Sequence, residues 1–254
     1  MFNITCSNNK KSSRHAFIDY LRGIALLLMF VYHFSFDLNY FQFIQTNFYT
    51  DPVWINFRFI IVSLFLWLVG VSLWLATHKG VNQARYTKRI ALLLIASLLV
   101  SYSSYLTFPK SYIFFGILHF ILVASILGLL FIRLYYANLV VGLLLIIIGI
   151  SFSHPIFNHS ALQWFGLMTH KPVTEDYVPF IPWFGIVLIG IFSSQLIFKY
   201  RRFKFISDKI INWGQGNNQF QRNIACMGRH SLIVYLIHQP VFIGVLWVFH
   251  TYLA

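Results

Sequence analysis

The chain has 254 residues, of which 58% are hydrophobic and 10% charged, with a mean hydropathy of +0.70. Globular domains carry about 25% charged residues, so this composition excludes a water-soluble fold and requires an integral membrane protein. The formal charge of +13, from 19 Lys and Arg against 6 Asp and Glu, would suit a nucleic-acid binder. The placement of the cations assigns them to one side of a bilayer instead, and no nucleic-acid partner is expected.

Residues 1–15 form a polar, basic tail with Lys10, Lys11 and Arg14. No small-residue cleavage site follows the first apolar run, so helix 1 (16–36) reads as an uncleaved anchor. A polar, aromatic loop over 37–56 leads to helix 2 (57–77), rich in Phe, Leu and Trp. The segment HKGVNQARYTKR then supplies Lys79, Arg85, Lys88 and Arg89. Helix 3 (90–107) stops before Pro109, and a short turn leads to helix 4 (112–132). Arg133 precedes helix 5 (138–153), and a longer outer segment over 154–178 holds Trp164, His170, Glu175 and Asp176. Helix 6 (179–198) opens with PFIPWFG, whose prolines suit a first turn. A basic stretch over 199–229 contains the polar turn INWGQGNNQ and an expected amphipathic helix at 203–213 lying on the inner leaflet. Helix 7 (230–252) follows. The expected fold is all-α: one transmembrane domain over 16–254, a bundle of about seven membrane helices.

Seven spans put alternate loops on opposite sides. Sixteen of the 19 Lys and Arg then share one side, while Arg58, Lys110 and Lys171 lie on the other with Asp37, Asp51, Glu175 and Asp176. The positive-inside rule places the N-terminus in the cytoplasm and the C-terminus outside. Cys6 and Cys226 both fall on the cytoplasmic side, so no disulfide is expected.

Helix 1 carries the most informative pattern. At 100° per residue, with Arg22 at 0°, His33 falls near 20° and Asp19 and Asp37 near 60°. Four ionisable groups therefore share one stripe on an otherwise apolar helix, and Arg22 and His33 stand roughly 16 Å apart along its axis. Charge within a membrane faces a protein interior or a water-filled path. The simpler alternative pairs Asp19 with Arg22 at i and i+3 and leaves His33 and Asp37 in the far interface. His119 and His238, also within spans, read as structural hydrogen-bond partners or site-lining groups. Pro240 is expected to kink the helix beside His238. His154, His159 and His170 match no metal-ligand spacing, and no metal is expected. The chain has no Gly-rich phosphate loop, no GxSxG and no CxxC.

The basic residues Arg22, Arg85, Lys88 and Arg89 could hold a phosphorylated donor, or could be ordinary positive-inside anchors. With His33 as a base at the other end of the stripe, the arrangement suits transfer of a group across the membrane. A non-enzymatic carrier for a small solute or lipid is the competing class. It lacks support from an inverted repeat or paired Gly/Pro-broken helices.

DYLRGIALLLMFVYHFSFDL resembles the first helix of bacterial membrane proteins grouped with the catalytic domain of heparan-alpha-glucosaminide N-acetyltransferase. The Arg22-x10-His33 spacing is similar to the R-x10-H pattern of acyltransferase type-three membrane proteins. FGILH (115–119), YVPFIPWFGIVLIGI (177–191) and MGRHSLIVYLIHQPV (227–241) extend the resemblance over most of the chain. It implies acyl transfer from cytosolic acyl-coenzyme A to a hydroxyl or amine of an extracytoplasmic saccharide or glycolipid, in a bacterial inner membrane. Acetyl-coenzyme A would be a co-substrate rather than a tightly bound cofactor. Membrane lipids are the other partner, and the resemblance leaves a homo-oligomer open.

By the same resemblance His33 corresponds to the type-three family's essential histidine and Arg22 to its paired arginine. Two departures stand out. The heparan enzyme has Asn at the position of His33 and places its catalytic histidine in the following loop, where alignment on Trp54 puts Asp51. The type-three RxxR appears as Arg85-x-x-Lys88 followed by Arg89. On the type-three pattern His33 is the general base, and Asp37, one turn on, orients its ring.

Overall fold

The computed structural model describes residues 13–200 and 218–253. Eight helices occur among them: α1 (Ser13–Tyr40), α2 (Pro52–Thr77), α3 (Gln83–Thr107), α4 (Ile117–Phe131), α5 (Tyr136–Ser151), α6 (Phe180–Ser194), α7 (Gln219–Arg229) and α8 (Ser231–Leu253). A wider π turn, Gln195–Lys199, extends α6. No strand occurs among the described residues; Gly116 and Tyr177 form an isolated antiparallel bridge.

Five helices are long and apolar enough to cross a membrane: α1 over Ala16–Tyr40, α2, α3, α6 over Phe180–Lys199, and α8 over Ser231–Tyr252. The two remaining apolar helices, α4 and α5, have 15 and 16 residues. The protein is thus an all-α integral membrane protein. The tail over 1–12 and the amphipathic helix expected at 203–213 lie outside the described residues.

Several helix ends differ from those read in the sequence, each for a local reason. α2 starts at Pro52 rather than 57, because Asp51 Oδ1 accepts from Val53 N–H at 2.8 Å and Pro52 sits in the first turn. α3 starts at Gln83 rather than 90, because Asn82 caps Arg85 N–H at 3.1 Å. Arg85, Lys88 and Arg89 therefore ride on a helix, not a loop. α4 starts at Ile117 rather than 112, because the preceding residues pair with a distant loop. Thr174 Oγ1 donates to Tyr112 O at 2.6 Å, Glu175 N–H to Ser111 O at 3.1 Å, and Val178 N–H to Phe115 O at 3.4 Å. Asp176 then accepts from Ile117 N–H at 3.2 Å, placing a carboxylate where the positive end of the α4 dipole favours one. In the same loop Tyr177 donates to Gln163 O at 2.5 Å, and burial pushes its phenol above the ordinary range. The expected seventh helix is divided at His230 into α8 and the end of a shorter α7.

The chain forms two compact units. The first runs to Phe65 and includes α7 and α8; the second is Leu66–Arg202. Apolar transfer contributes little to helix association in lipid, so close backbone packing has to hold the helices together. In the first unit that packing is the α1–α7 crossing. A methyl group on Gly228 would overlap the Asp19 carbonyl oxygen and stand 2.6 Å from Gly23 N, and one on Gly23 would overlap Ile224. Leu26, Met29, Tyr32, Phe48 and Ile61 fill the core beside it. The 37–51 loop is anchored by Phe48 against Trp54, with ring centroids 4.4 Å apart. In the second unit α5 and α6 meet similarly at Gly142 and Gly185.

Candidate functional site

The α1 stripe keeps its order in the first unit, and each end has partners from another helix. At one end Asp19 takes two arginines: Arg22 Nη1 donates to Oδ1 at 2.8 Å, and Arg229 Nε of α7 lies 3.5 Å from Oδ2. The i, i+3 pair at the helix mouth is thus present, and it extends to a second helix. The glycine crossing explains how: backbone contact at Gly228 brings the end of α7 within reach of Asp19.

At the other end α1 meets α8. The His33 and His238 rings lie 5.1 Å apart at 67°, and Phe30 stacks on His238 at 5.7 Å. His238 Nδ1 lies 2.5 Å from the Tyr235 carbonyl oxygen. A carbonyl only accepts, so the ring proton is on Nδ1 and Nε2 keeps its lone pair. Next to this pair Gln239 Nε2 donates to Asp37 Oδ1 at 2.8 Å. Asp37 is 3% exposed and His238 7%. The hydrogen bond fixing Asp37 thus comes from Gln239, where the one-turn spacing suggested His33.

Three acceptors here, Asp37 Oδ2, His238 Nε2 and Gln239 Oε1, are buried without a hydrogen-bond partner among the described residues. A buried polar atom left unpaired costs about 1–3 kcal/mol, and native structures tolerate few of them. Their convergence beside His33 makes a pocket chemistry suited to a hydrogen-bond donor such as a hydroxyl or an amine.

The other residues singled out in the sequence fall in the second unit. His119 Nδ1 accepts from Gly116 N–H at 3.3 Å, and its Nε2 lies 3.0 Å from Ser101 Oγ, which donates to Ile113 O at 2.6 Å. This imidazole ties α4 to α3. Arg85 and Lys88 are exposed on α3 and Arg89 is half-buried. Tyr86, between them, donates to Ser125 O at 2.9 Å and holds that turn against α4. Arg22 belongs to the first unit, so neither unit contains the four basic residues together.

Sequence reasoning missed Gln239 and Tyr235 as parts of the site. The available signal was the polar pair His238–Gln239 inside the apolar run SLIVYLIHQPVFIGV. It also passed over Lys79, Arg133 and Lys199 as anchors. Their signal was that each ends an alternate apolar helix.

Polar chemistry buried between the first and last described helices of a helical membrane protein suits a membrane enzyme or a carrier, and the family decides between them. The chain is a member of the family described as heparan-alpha-glucosaminide N-acetyltransferase, catalytic, whose model matches residues 14–240 and so covers most of its length. That family places it among the membrane acyltransferases. The matched range includes His33, Asp37, His238 and Gln239. Neither the curated proteins nor the solved structures contain a match to this chain.

Proposed function

We propose that this protein is a transmembrane acetyltransferase. It moves an acetyl group from cytosolic acetyl-coenzyme A to a hydroxyl or amine of an extracytoplasmic saccharide or glycolipid. The observation that carries the proposal is the α1–α8 constellation: His33 beside a second imidazole with an open lone pair, flanked by the Asp37–Gln239 pair.

His33 takes the proton of the acceptor as its oxygen or nitrogen attacks the thioester carbonyl. The carbon–sulfur bond then breaks, and the departing thiolate receives that proton from the imidazolium. His238, through its open Nε2, and Asp37, through its unpaired Oδ2, accept hydrogen bonds from the incoming donor group. The N-terminus is cytoplasmic and the C-terminus outside, in a bacterial inner membrane. In the second unit Arg85, Lys88 and Arg89 draw the phosphates of the acyl donor electrostatically, and Arg22, in the first unit, is a separate candidate contact for the donor.

General-base assistance contributes about 10²–10⁴-fold. His33→Ala is therefore expected to lower transfer of radiolabelled acetyl by that factor in membranes that hold normal amounts of protein. Transfer at the wild-type rate in this variant would refute the assignment.

A further inference from the structure

We propose that the second unit binds a phosphate-bearing ligand, of the phosphomonoester or diphosphate class, in a cavity ringed by Lys79, Arg133 and Lys199. α2, α4 and α6 finish at the same end of this unit. A cation follows each finish: Lys79 after Thr77, Arg133 after Phe131, and Lys199 at the close of the π turn. Together they line a cavity of about 860 Å³ that has no acidic residue among its described lining residues. Concave ligand sites typically measure about 300–1,000 Å³.

The floor of the cavity is built. Gln195, 1% exposed, donates from Nε2 to Ile132 O at 2.6 Å and takes a hydrogen bond from Asn138 Nδ2 at 3.4 Å. Asn138 also donates to Phe131 O at 3.0 Å and to Leu134 O, which fixes the turn that presents Arg133. Trp74 forms a wall with His78 stacked on it at 4.1 Å, and His78 Nδ1 lies 2.9 Å from Trp74 O.

The charge balance favours an anion. Three helix C-termini contribute about half a negative charge each. Three full cations exceed that by roughly 1.5 charges, with no carboxylate among the described lining residues to absorb the surplus. The guanidinium of Arg133 can grip two phosphate oxygens at once, and the two lysines can close on others from the rim. The phosphate can belong to a soluble nucleotide-type ligand or to a lipid headgroup. Only the identification of that ligand with the acyl donor rests on the acetyltransferase reading; the anion chemistry stands on the cavity itself.

The test uses the full-length protein in a neutral detergent, titrated calorimetrically with pyrophosphate and separately with adenosine 3′,5′-bisphosphate. Binding of either is expected, weakening about 10-fold in Arg133→Gln, as for loss of one charge-assisted contact, and weakening further as salt is raised. Arg133→Lys, which keeps the charge but loses the two-point grip, should bind between wild type and Arg133→Gln, and so shows that the effect is not misfolding. A second arm places the protein in phosphatidylcholine nanodiscs with and without phosphatidylglycerol. Competition between phosphatidylglycerol and pyrophosphate assigns the site to a headgroup, and its absence assigns it to a soluble ligand; both keep a phosphate in the cavity. No binding of either probe in detergent or nanodiscs, or binding that Arg133→Gln leaves intact, overturns the proposal. Pyrophosphate binding needs no turnover. A protein that binds it but transfers no acetyl group sinks the acetyltransferase reading alone, and one that transfers but binds no phosphate in this cavity sinks this one alone.

Discussion

His119 and His238 are both imidazoles inside apolar helices, and their surroundings differ in one respect that decides what each can do. Both nitrogens of His119 are occupied, one by Gly116 N–H and the other by Ser101 Oγ, and the serine passes its own proton to Ile113 O. Every donor in that chain has an acceptor, so the group is a strut between α3 and α4. His238 has one nitrogen committed to Tyr235 O and the other buried without a hydrogen-bond partner among the described residues, next to His33. A fixed tautomer with an open lone pair leaves His238 able to accept a hydrogen bond from a group brought beside His33. Hydropathy treats the two positions alike; only the count of filled valences separates them.

That contrast can be broken by substitution. After His33→Ala, the largest effect is expected at His238: His238→Ala should lower kcat for acetyl transfer per folded molecule by about 10²-fold, with little change in donor KM, and should cost some thermal stability because a buried, stacked ring is removed. A fall in stability with kcat per folded molecule unchanged would make His238 a strut as well. Next comes the crossing that seats α7 on α1. Gly228→Ala forces a methyl group into the Asp19 carbonyl, and overpacking of that kind costs about 1–3 kcal/mol. A lower melting temperature in detergent and weaker retention of Arg229 beside Asp19 would report it, whereas an unchanged melting temperature would mean the helices are not in contact. His119→Leu should cost about 1–3 kcal/mol of stability by leaving the Ser101 and Gly116 groups unpaired. Its kcat per folded molecule should stay within about two-fold, and a loss comparable to that of His238→Ala would erase the distinction. The smallest perturbation is Val173→Cys, on a side chain 80% exposed. It should leave activity unchanged while reacting with an impermeant thiol reagent on intact cells, under conditions where native Cys226 does not. Labelling of Cys226 from outside would reverse the proposed orientation.

Much of the architecture was readable because lipid imposes simple rules. Continuous apolar runs gave the long helices, and the stripe on α1 followed from spacing alone, since i, i+3 and i+11 neighbours share a face whatever they pack against. Helix ends were legible only where the cap was local. The start of α4 was not, because Ser111, Tyr112 and Phe115 are held by partners some 60 residues away at 174–178, and no local pattern encodes such a pairing. The break at His230 depends on the seat that Gly228 finds on α1. The Asp37–Gln239 bond joins residues separated by 202 positions, so Asp37 looked like a partner for its neighbour His33. The cavity at Lys79, Arg133 and Lys199 went unrecognised because it exists only once three helices finish level with one another.

The brevity of α4 and α5 has a consequence for the membrane. At about 1.5 Å per residue they reach only about 22–24 Å, against a hydrocarbon layer of about 30 Å. α5 presents Val140, Leu143, Leu144, Ile147 and Ile150 outward; were it to cross the bilayer, lipid chains would meet a helix too short for them. A bilayer adapts to such mismatch by pinching inward around the protein, at a cost of a fraction of a kcal/mol for each ångström. Lipids with shorter tails should relieve such a distortion, so a higher melting temperature in short-chain bilayers would report that the short helices span.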